Sequence, residues 1–295
     1  NDDIWENAQR LTALGLRVTV TELDVAIPVP VDAAKLQSQA KAYADMTFLC
    51  MTHPNIKRMF LWGFTDKYSW IPGFTDGASD AALIFDTNYA KKPAYYAIET
   101  VLGLQPVAGI YNGGYESSIY CWNEMSGGTI AEETSVVYNG LKSARVYNRT
   151  QVGHGIGQYV LPYLLANGQG TYNAGVWARM ATGTDTLRLR LYIKDDAGSR
   201  YIALGTGAVN NTQWSQVTGS ANVTWTGLLR VAKLVIDTQN TTSVFYVDDA
   251  GFSKQVSGTP TRTSTVTPIV SPTRTPTPVV QSTWRVVAGS AVSYT

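Results

Sequence analysis

The amino-acid sequence predicts two folds in one chain. Residues 1–104 read as an α/β segment built on a parallel sheet, and residues 105–255 read as an all-β sandwich. Three observations predict them. A β-branched stretch over residues 17–25 is flanked on both sides by helix-like segments. From about Leu104 the helical period vanishes and short alternating strands replace it. From residue 256 the composition narrows to Thr, Pro, Ser and Val with no acidic residue, and residues 256–283 hold five of the 12 prolines.

The first stretch, Arg17-Val18-Thr19-Val20-Thr21-Glu22-Leu23-Asp24-Val25, reads as a buried strand with two carboxylates at its C-terminal end. Helix before and helix after make it one rung of a parallel α/β sheet or barrel. Such folds gather their chemistry at the carboxyl ends of the strands. Glu22 is therefore a catalytic candidate by position alone. The plainer alternative is a strand-end acid that caps a helix or pairs with an arginine.

The other elements follow in order. Asp2 and Asp3 open a helix with Ile4, Ala8, Leu11 and Leu14 on one face, and Gly15 stops it. After Pro28 and Pro30, Asp32 is placed to cap a second helix. The buried stripe of that helix is Leu36, Ala40, Tyr43, Thr47 and Cys50, and His53-Pro54 ends it. Met59-Phe60-Leu61-Trp62-Gly63-Phe64 is a continuous apolar run of the kind a parallel sheet buries. Pro93 starts a third helix that Gly103 closes. Beyond it, Ser143-Ala144-Arg145-Val146-Tyr147 and Thr186-Leu187-Arg188-Leu189-Arg190-Leu191-Tyr192 alternate between Gly- and Asn-rich turns, as sandwich strands do. Residues 256–283 are expected to be an extended, disordered linker open to O-glycosylation, and 284–295 the opening of a further, truncated module.

Composition narrows the function classes. A net charge of +1 in 295 residues carries no polyanion signature, so no nucleic-acid partner is expected. No run is apolar and long enough to cross a membrane. The chain begins without Met and in mid-domain, which points to a fragment. Cys50 and Cys121 fall in different domains and read as small buried hydrophobes rather than a disulfide. Eight Trp and 17 Tyr, many in polar surroundings, suit stacking against sugar rings, though they serve equally as core. N-x-[ST] sequons occur at Asn148, Asn210, Asn222 and Asn240 and matter only in a host that N-glycosylates.

Thr21-Glu22-Leu23-Asp24, then Leu61-Trp62-Gly63-Phe64-Thr65-Asp66-Lys67-Tyr68-Ser69-Trp70, then Leu83-Ile84-Phe85-Asp86 leading to Lys92-Pro93-Ala94-Tyr95, together resemble glycoside hydrolase family 10, the endo-β-1,4-xylanases. The resemblance covers residues 1–104 and implies the last two βα units of a (β/α)8 barrel. It implies that Glu22 is the nucleophile, that Asp24 orients a neighbouring His, and that Trp62 and Trp70 line the subsites before the scissile bond. It implies no catalytic cofactor. The family's acid/base Glu, in a W-x-x-x-N-E motif, has no counterpart here, nor do its substrate-contacting His residues, so the fragment alone is expected to be inactive.

Residues 105–255 resemble the jelly-roll carbohydrate-binding modules of the group containing families 4, 9 and 22, through Asn112-Gly113-Gly114-Tyr115-Glu116 with Trp122 and through Phe245-Tyr246-Val247-Asp248-Asp249. The resemblance implies a structural Ca²⁺ held by Glu116 and by Asp248 or Asp249, with solvated strand-end acids as the bland alternative. Tyr159, Trp177, Tyr192 and Trp214 are candidate sugar-stacking rings, with Arg149 and Gln158 as polar partners; core packing is the competing role for each, and parity decides it. The whole then reads as part of a secreted, monomeric endo-xylanase acting on xylan or another β-1,4-linked plant polysaccharide. The alternatives are a binding module with a non-functional barrel remnant, or a cell-surface or cellulosomal adhesin.

Overall fold

The computed structural model describes residues 2–255; the expected linker and the further module lie outside the described residues. Helix α1 (Asp2–Ala13) is closed by Gly15 at φ 74°, where the Leu16 N–H turns back to the Leu11 carbonyl at 3.1 Å. Its buried residues are Trp5, Ala8 and Gln9, while Ile4 and Leu14 are exposed. The buried stripe is thus rotated from the expected one toward Trp5, because the helix packs on the sandwich as well as on its own segment.

Strand β1 (Val18–Leu23) is followed by β2 (Ile27–Pro28), helix α2 (Ala33–Thr52) and strand β3 (Ile56–Leu61). β1 and β3 pair in parallel as a two-stranded sheet. β1 is not the buried strand its composition predicts. Its residues alternate between half-buried and exposed, since among the described residues only β3 flanks it. The Asp32 carboxylate caps α2 by accepting from the Lys35 N–H at 2.8 Å. Ala40, Tyr43, Ala44 and Phe48 lie on its buried face. A 3-10 turn (Asp66–Tyr68), helix α3 (Ile71–Phe74), strand β4 (Ser79–Asp80), paired with β2, and helix α4 (Pro93–Gly103) complete the segment.

One buried ion pair joins two of the quoted motifs. Lys92 Nζ lies 2.8 Å from Asp66 Oδ2, and Asp66 Oδ1 accepts from the Leu83 N–H at 2.8 Å. Both side chains are buried. The loops after β3 and before α4 are therefore locked to each other.

The sandwich begins with the hairpin β5 (Pro106–Val107) and β6 (Ile110–Tyr111). Then come β7 (Asn123–Met125), β8 (Thr129–Glu133), β9 (Ser143–Tyr147), β10 (Gly155–Tyr159), helix α5 (Leu161–Asn167), β11 (Gly170–Met180), β12 (Thr184–Asp195), β13 (Gly198–Asn210), β14 (Ser215–Val223), β15 (Val231–Thr238) and β16 (Phe245–Lys254). They form two five-stranded antiparallel sheets, β13-β12-β15-β10-β7 and β14-β11-β16-β9-β8. In β12, Leu187, Leu189, Leu191 and Ile193 face the core while Arg188, Arg190, Tyr192 and Lys194 face outward. At one side the sheets nearly touch: a Cβ on Gly219 would lie 2.1 Å from the Leu204 carbonyl oxygen. Only glycine permits that approach. Cys50 and Cys121 are both free and buried.

Candidate functional site

The first candidate site is the C-terminal end of β1. Glu22 adopts φ 60°, a left-handed conformation uncommon for a residue with a side chain, and the β1–β3 register shifts across it. Such an irregularity at a strand end redirects one side chain out of the pleat. The Glu22 carboxylate is exposed and has no hydrogen-bond or ion-pair partner among the described residues. Two residues on, Asp24 Oδ2 accepts from the Trp70 indole N–H at 2.8 Å. The resemblance implies that Asp24 orients a neighbouring His; among the described residues its carboxylate fixes the Trp70 indole. Trp70 also lies against Phe74, with centroids 4.7 Å apart. Trp62, just past β3, donates its backbone N–H to the Leu23 carbonyl and leaves its ring about half exposed. An unpaired carboxylate and two open indoles thus share one end of the two-stranded sheet. Such an arrangement is able to stack a sugar ring and present a nucleophile to it.

The second candidate site lies on the sandwich, and parity decides its members. Trp177 is an outward position of β11, stacked on Tyr138 at 4.0 Å and 15°, with Trp214 5.9 Å beyond. Tyr192 is outward on β12, in the other sheet, with Tyr201 of β13 at 5.2 Å. The four candidate rings therefore do not form one platform: Trp177 and Trp214 belong to one face of the sandwich, Tyr159 and Tyr192 to the opposite one. Tyr159 is not open either. It is 5% exposed because the Trp5 indole stacks on it at 4.7 Å and 11°. Arg149 and Gln158 are structural. Arg149 holds the His154 and Ser243 carbonyls at 2.8 and 2.6 Å, and Gln158 clips both backbone groups of Tyr111 at 2.8 Å.

Sequence reasoning missed the polar groups beside Tyr192. Asp237 of β15, fully buried, accepts from Arg188 Nε at 2.6 Å and from Arg190, whose guanidinium lies 4.0 Å over the Tyr201 ring. The alternation Arg188-Leu189-Arg190-Leu191-Tyr192 was the available signal, because it puts both guanidiniums on the same face as the ring.

The expected metal residues gather around one loop. Asp248 is fully buried; its Oδ2 accepts the Tyr138 and Asn139 N–H groups at 3.0 and 3.1 Å, and its Oδ1 the Asp249 N–H at 2.8 Å. Asp249 Oδ2 accepts from Asn139 Nδ2, and Glu116 Oε1 accepts the Leu141 and Lys142 N–H groups at 2.9 and 3.2 Å. Burial pushes the Asp248 carboxyl up to about 6 against its three backbone donors, and the Asp249 charge adds to the rise. Among the described residues no three of His, Cys, Asp or Glu converge as a metal-holding group. What suits a hard cation is the chemistry left over: Glu116 Oε2 and Asp249 Oδ1 carry no hydrogen bond among the described residues.

Comparison with known proteins gives a family match for each part. Residues 1–101 match the model of Glycosyl hydrolase family 10, and residues 107–243 match that of a Carbohydrate binding domain. The chain thus carries a segment similar to glycosyl hydrolase family 10 followed by one similar to a carbohydrate-binding domain. Endo-1,4-beta-xylanase B of Thermotoga neapolitana is 41% identical over 98 residues, which is 33% of this chain and 28% of that protein. Endo-1,4-beta-xylanase 2 of Aureobasidium pullulans is 48% identical over 92 residues, 30% of this chain and 24% of that protein. The chain thus spans about a quarter of the length of these curated relatives. Among solved structures, the C-terminal family 22 carbohydrate binding module of Clostridium thermocellum Xyn10B is similar at 22% identity and a TM-score of 0.45, over 50% of this chain and 95% of that one. All of the quoted strand-end residues, Glu22, Asp24, Trp62 and Trp70, fall inside the family 10 segment.

Proposed function

We propose that the chain is part of a secreted, modular endo-1,4-β-xylanase in which Glu22 is the nucleophile of a retaining reaction and the sandwich holds the polysaccharide. The observation that carries this is the exposed, left-handed Glu22 at a strand end beside two open indoles, within a segment whose relatives are named endo-1,4-beta-xylanases. In this reading the Glu22 carboxylate attacks the anomeric carbon and forms a glycosyl-enzyme ester that water then hydrolyses. A second carboxyl group, supplied by the rest of the barrel, protonates the departing oxygen and later activates the water. The Asp24–Trp70 hydrogen bond fixes the indole against which a xylosyl ring stacks, and Trp62 offers a second such face. The sandwich, acting as a monomer, adds a modest-affinity grip on β-1,4-linked chains through Tyr192, Tyr201, Arg188 and Arg190. A calcium ion held by Glu116 and by Asp248 or Asp249, helped by backbone carbonyls, would tie the turn after β6 to the last strand of the sandwich.

The test uses the enzyme with its whole barrel. Glu22→Gly should abolish turnover on aryl xylobioside, and azide should restore it while forming a glycosyl azide of inverted anomeric configuration. Full activity in Glu22→Gly, or no azide product, would overturn the assignment.

A further inference from the structure

The outward positions of the β13-β12-β15-β10-β7 sheet carry an unbalanced charge. Arg188, Arg190 and Lys194 of β12 and Lys233 of β15 face out with a single acid, Asp237. Lys233 is placed between two rings: its ammonium lies 5.6 Å from the Tyr159 centroid and 4.9 Å from that of Tyr192. An ammonium beside two tyrosine rings offers a cation to pair with a carboxylate and aromatic faces on which a ring can stack.

A carboxylate and a ring already sit there, supplied by the chain itself. Asp2, Trp5, Glu6 and Gln9 share one face of α1 at helical spacing. The Trp5 indole stacks on Tyr159, and both Asp2 oxygens contact Lys233 Nζ, at 2.9 and 2.7 Å. The Tyr159 hydroxyl also donates to Asp2. Glu6 pairs with Lys194 at 2.6 Å, and Gln9 donates to the Leu229 carbonyl at 2.9 Å. A stacked ring with a carboxylate at its edge is the outline of a uronic acid residue on its ring of stacking aromatics.

We propose that Tyr159, Lys233, Tyr192 and Lys194 form a subsite for a uronate carried on a β-linked glycan, and that α1 fills this subsite as an internal stand-in. The proposal deepens the polysaccharide-binding reading above and rests on it. Glycan and helix compete for one place. A tethered occupant acts at an effective concentration in the millimolar range, so it masks a site of modest affinity about tenfold or more.

The test compares the whole 295-residue chain with variants in affinity electrophoresis on glucuronoxylan and on the same polymer after its carboxyl groups are reduced. Two variants open the subsite: Trp5→Ala with Asp2→Ala, and, should loss of the indole unfold α1, the charge reversal Asp2→Lys with Glu6→Lys. Either is expected to bind glucuronoxylan about tenfold tighter than the parent chain and the reduced polymer less than about threefold tighter. Lys233→Met in the opened background should erase the difference between the polymers. Equal binding of both polymers by the opened chain, or no gain on opening, overturns the subsite while leaving the polysaccharide reading intact. No retention of any variant on either polymer removes both.

Discussion

Asp248 gives the sharpest quantitative expectation. Its carboxyl lies at about 6 against an ordinary value of 3.8, chiefly because it is buried. The two-decade difference in proton affinity, at about 1.4 kcal/mol per decade, amounts to about 3 kcal/mol. The folded state binds this proton more tightly than the unfolded chain. Its contribution is therefore greatest when the group is protonated, and it is lost as pH rises from about 4 through about 6. Asp248→Asn removes the charge but turns an amide toward one of the three backbone donors, at a cost of about 1–2 kcal/mol. At pH 7 in EDTA the variant should be the more stable by about 1–2 kcal/mol, or about 2–8 °C in the melting temperature of the sandwich. At pH 4.5 the order should reverse. Asp45 and Asp66, also raised by burial, tilt both proteins alike, so the difference isolates Asp248. Calcium at pH 7 should raise the parent toward the variant, and magnesium should not. Differential scanning calorimetry of both proteins at the two pH values checks this. A variant equally destabilised at both would show that Asp248 carries no uncompensated charge, and indifference to EDTA and calcium would remove the metal.

Three further outcomes are expected. Lys92→Met strands a buried Asp66 carboxylate and should cost the family 10 segment about 3–5 kcal/mol, read as earlier proteolysis of residues 1–104 while the sandwich resists. Gly219→Val drives a side chain into the Leu204 carbonyl and should cost the sandwich at least about 3 kcal/mol in urea unfolding; a loss below 1 kcal/mol would mean the edges can part freely. The 295-residue chain should release no reducing sugar from xylan above a Glu22→Ala control, because the W-x-x-x-N-E motif that would supply the acid/base carboxyl has no counterpart in the sequence.

Much of the fold was legible because its signals are local. Asp32 caps α2, Gly15 closes α1 and Pro93 opens α4, each through chemistry confined to a few residues. At the strand end, Glu22 was a candidate by position alone, whereas Asp24, Trp62 and Trp70 entered through the resemblance; the paired ends of β1 and β3 carry Glu22, Asp24 and Trp62. What sequence could not supply was the partner of each outward face. Residues 17–25 look like a buried strand, but burial needs neighbours on both edges. Trp177 and Tyr192 have similar surroundings in sequence, yet strand order puts them on opposite faces. Tyr159 is covered by Trp5, more than 150 residues away in the chain, and no local pattern announces such a contact.

The hydrogen bonds from Gln158 to Tyr111 have a mechanical consequence. Only two residues separate α4 from β5, and the hairpin they lead into is riveted to the sandwich by one side-chain amide on both its N–H and its C=O. The joint between the two parts thus has almost no slack. Tension applied to the sandwich would pass directly to α4 and, through the Asp66–Lys92 lock at its N-terminus, to the loop that carries Trp70. The orientation of the sandwich relative to the strand end bearing Glu22 is set by this short joint, as a jig fixes a workpiece to the tool, and lengthening the two-residue connection would uncouple them.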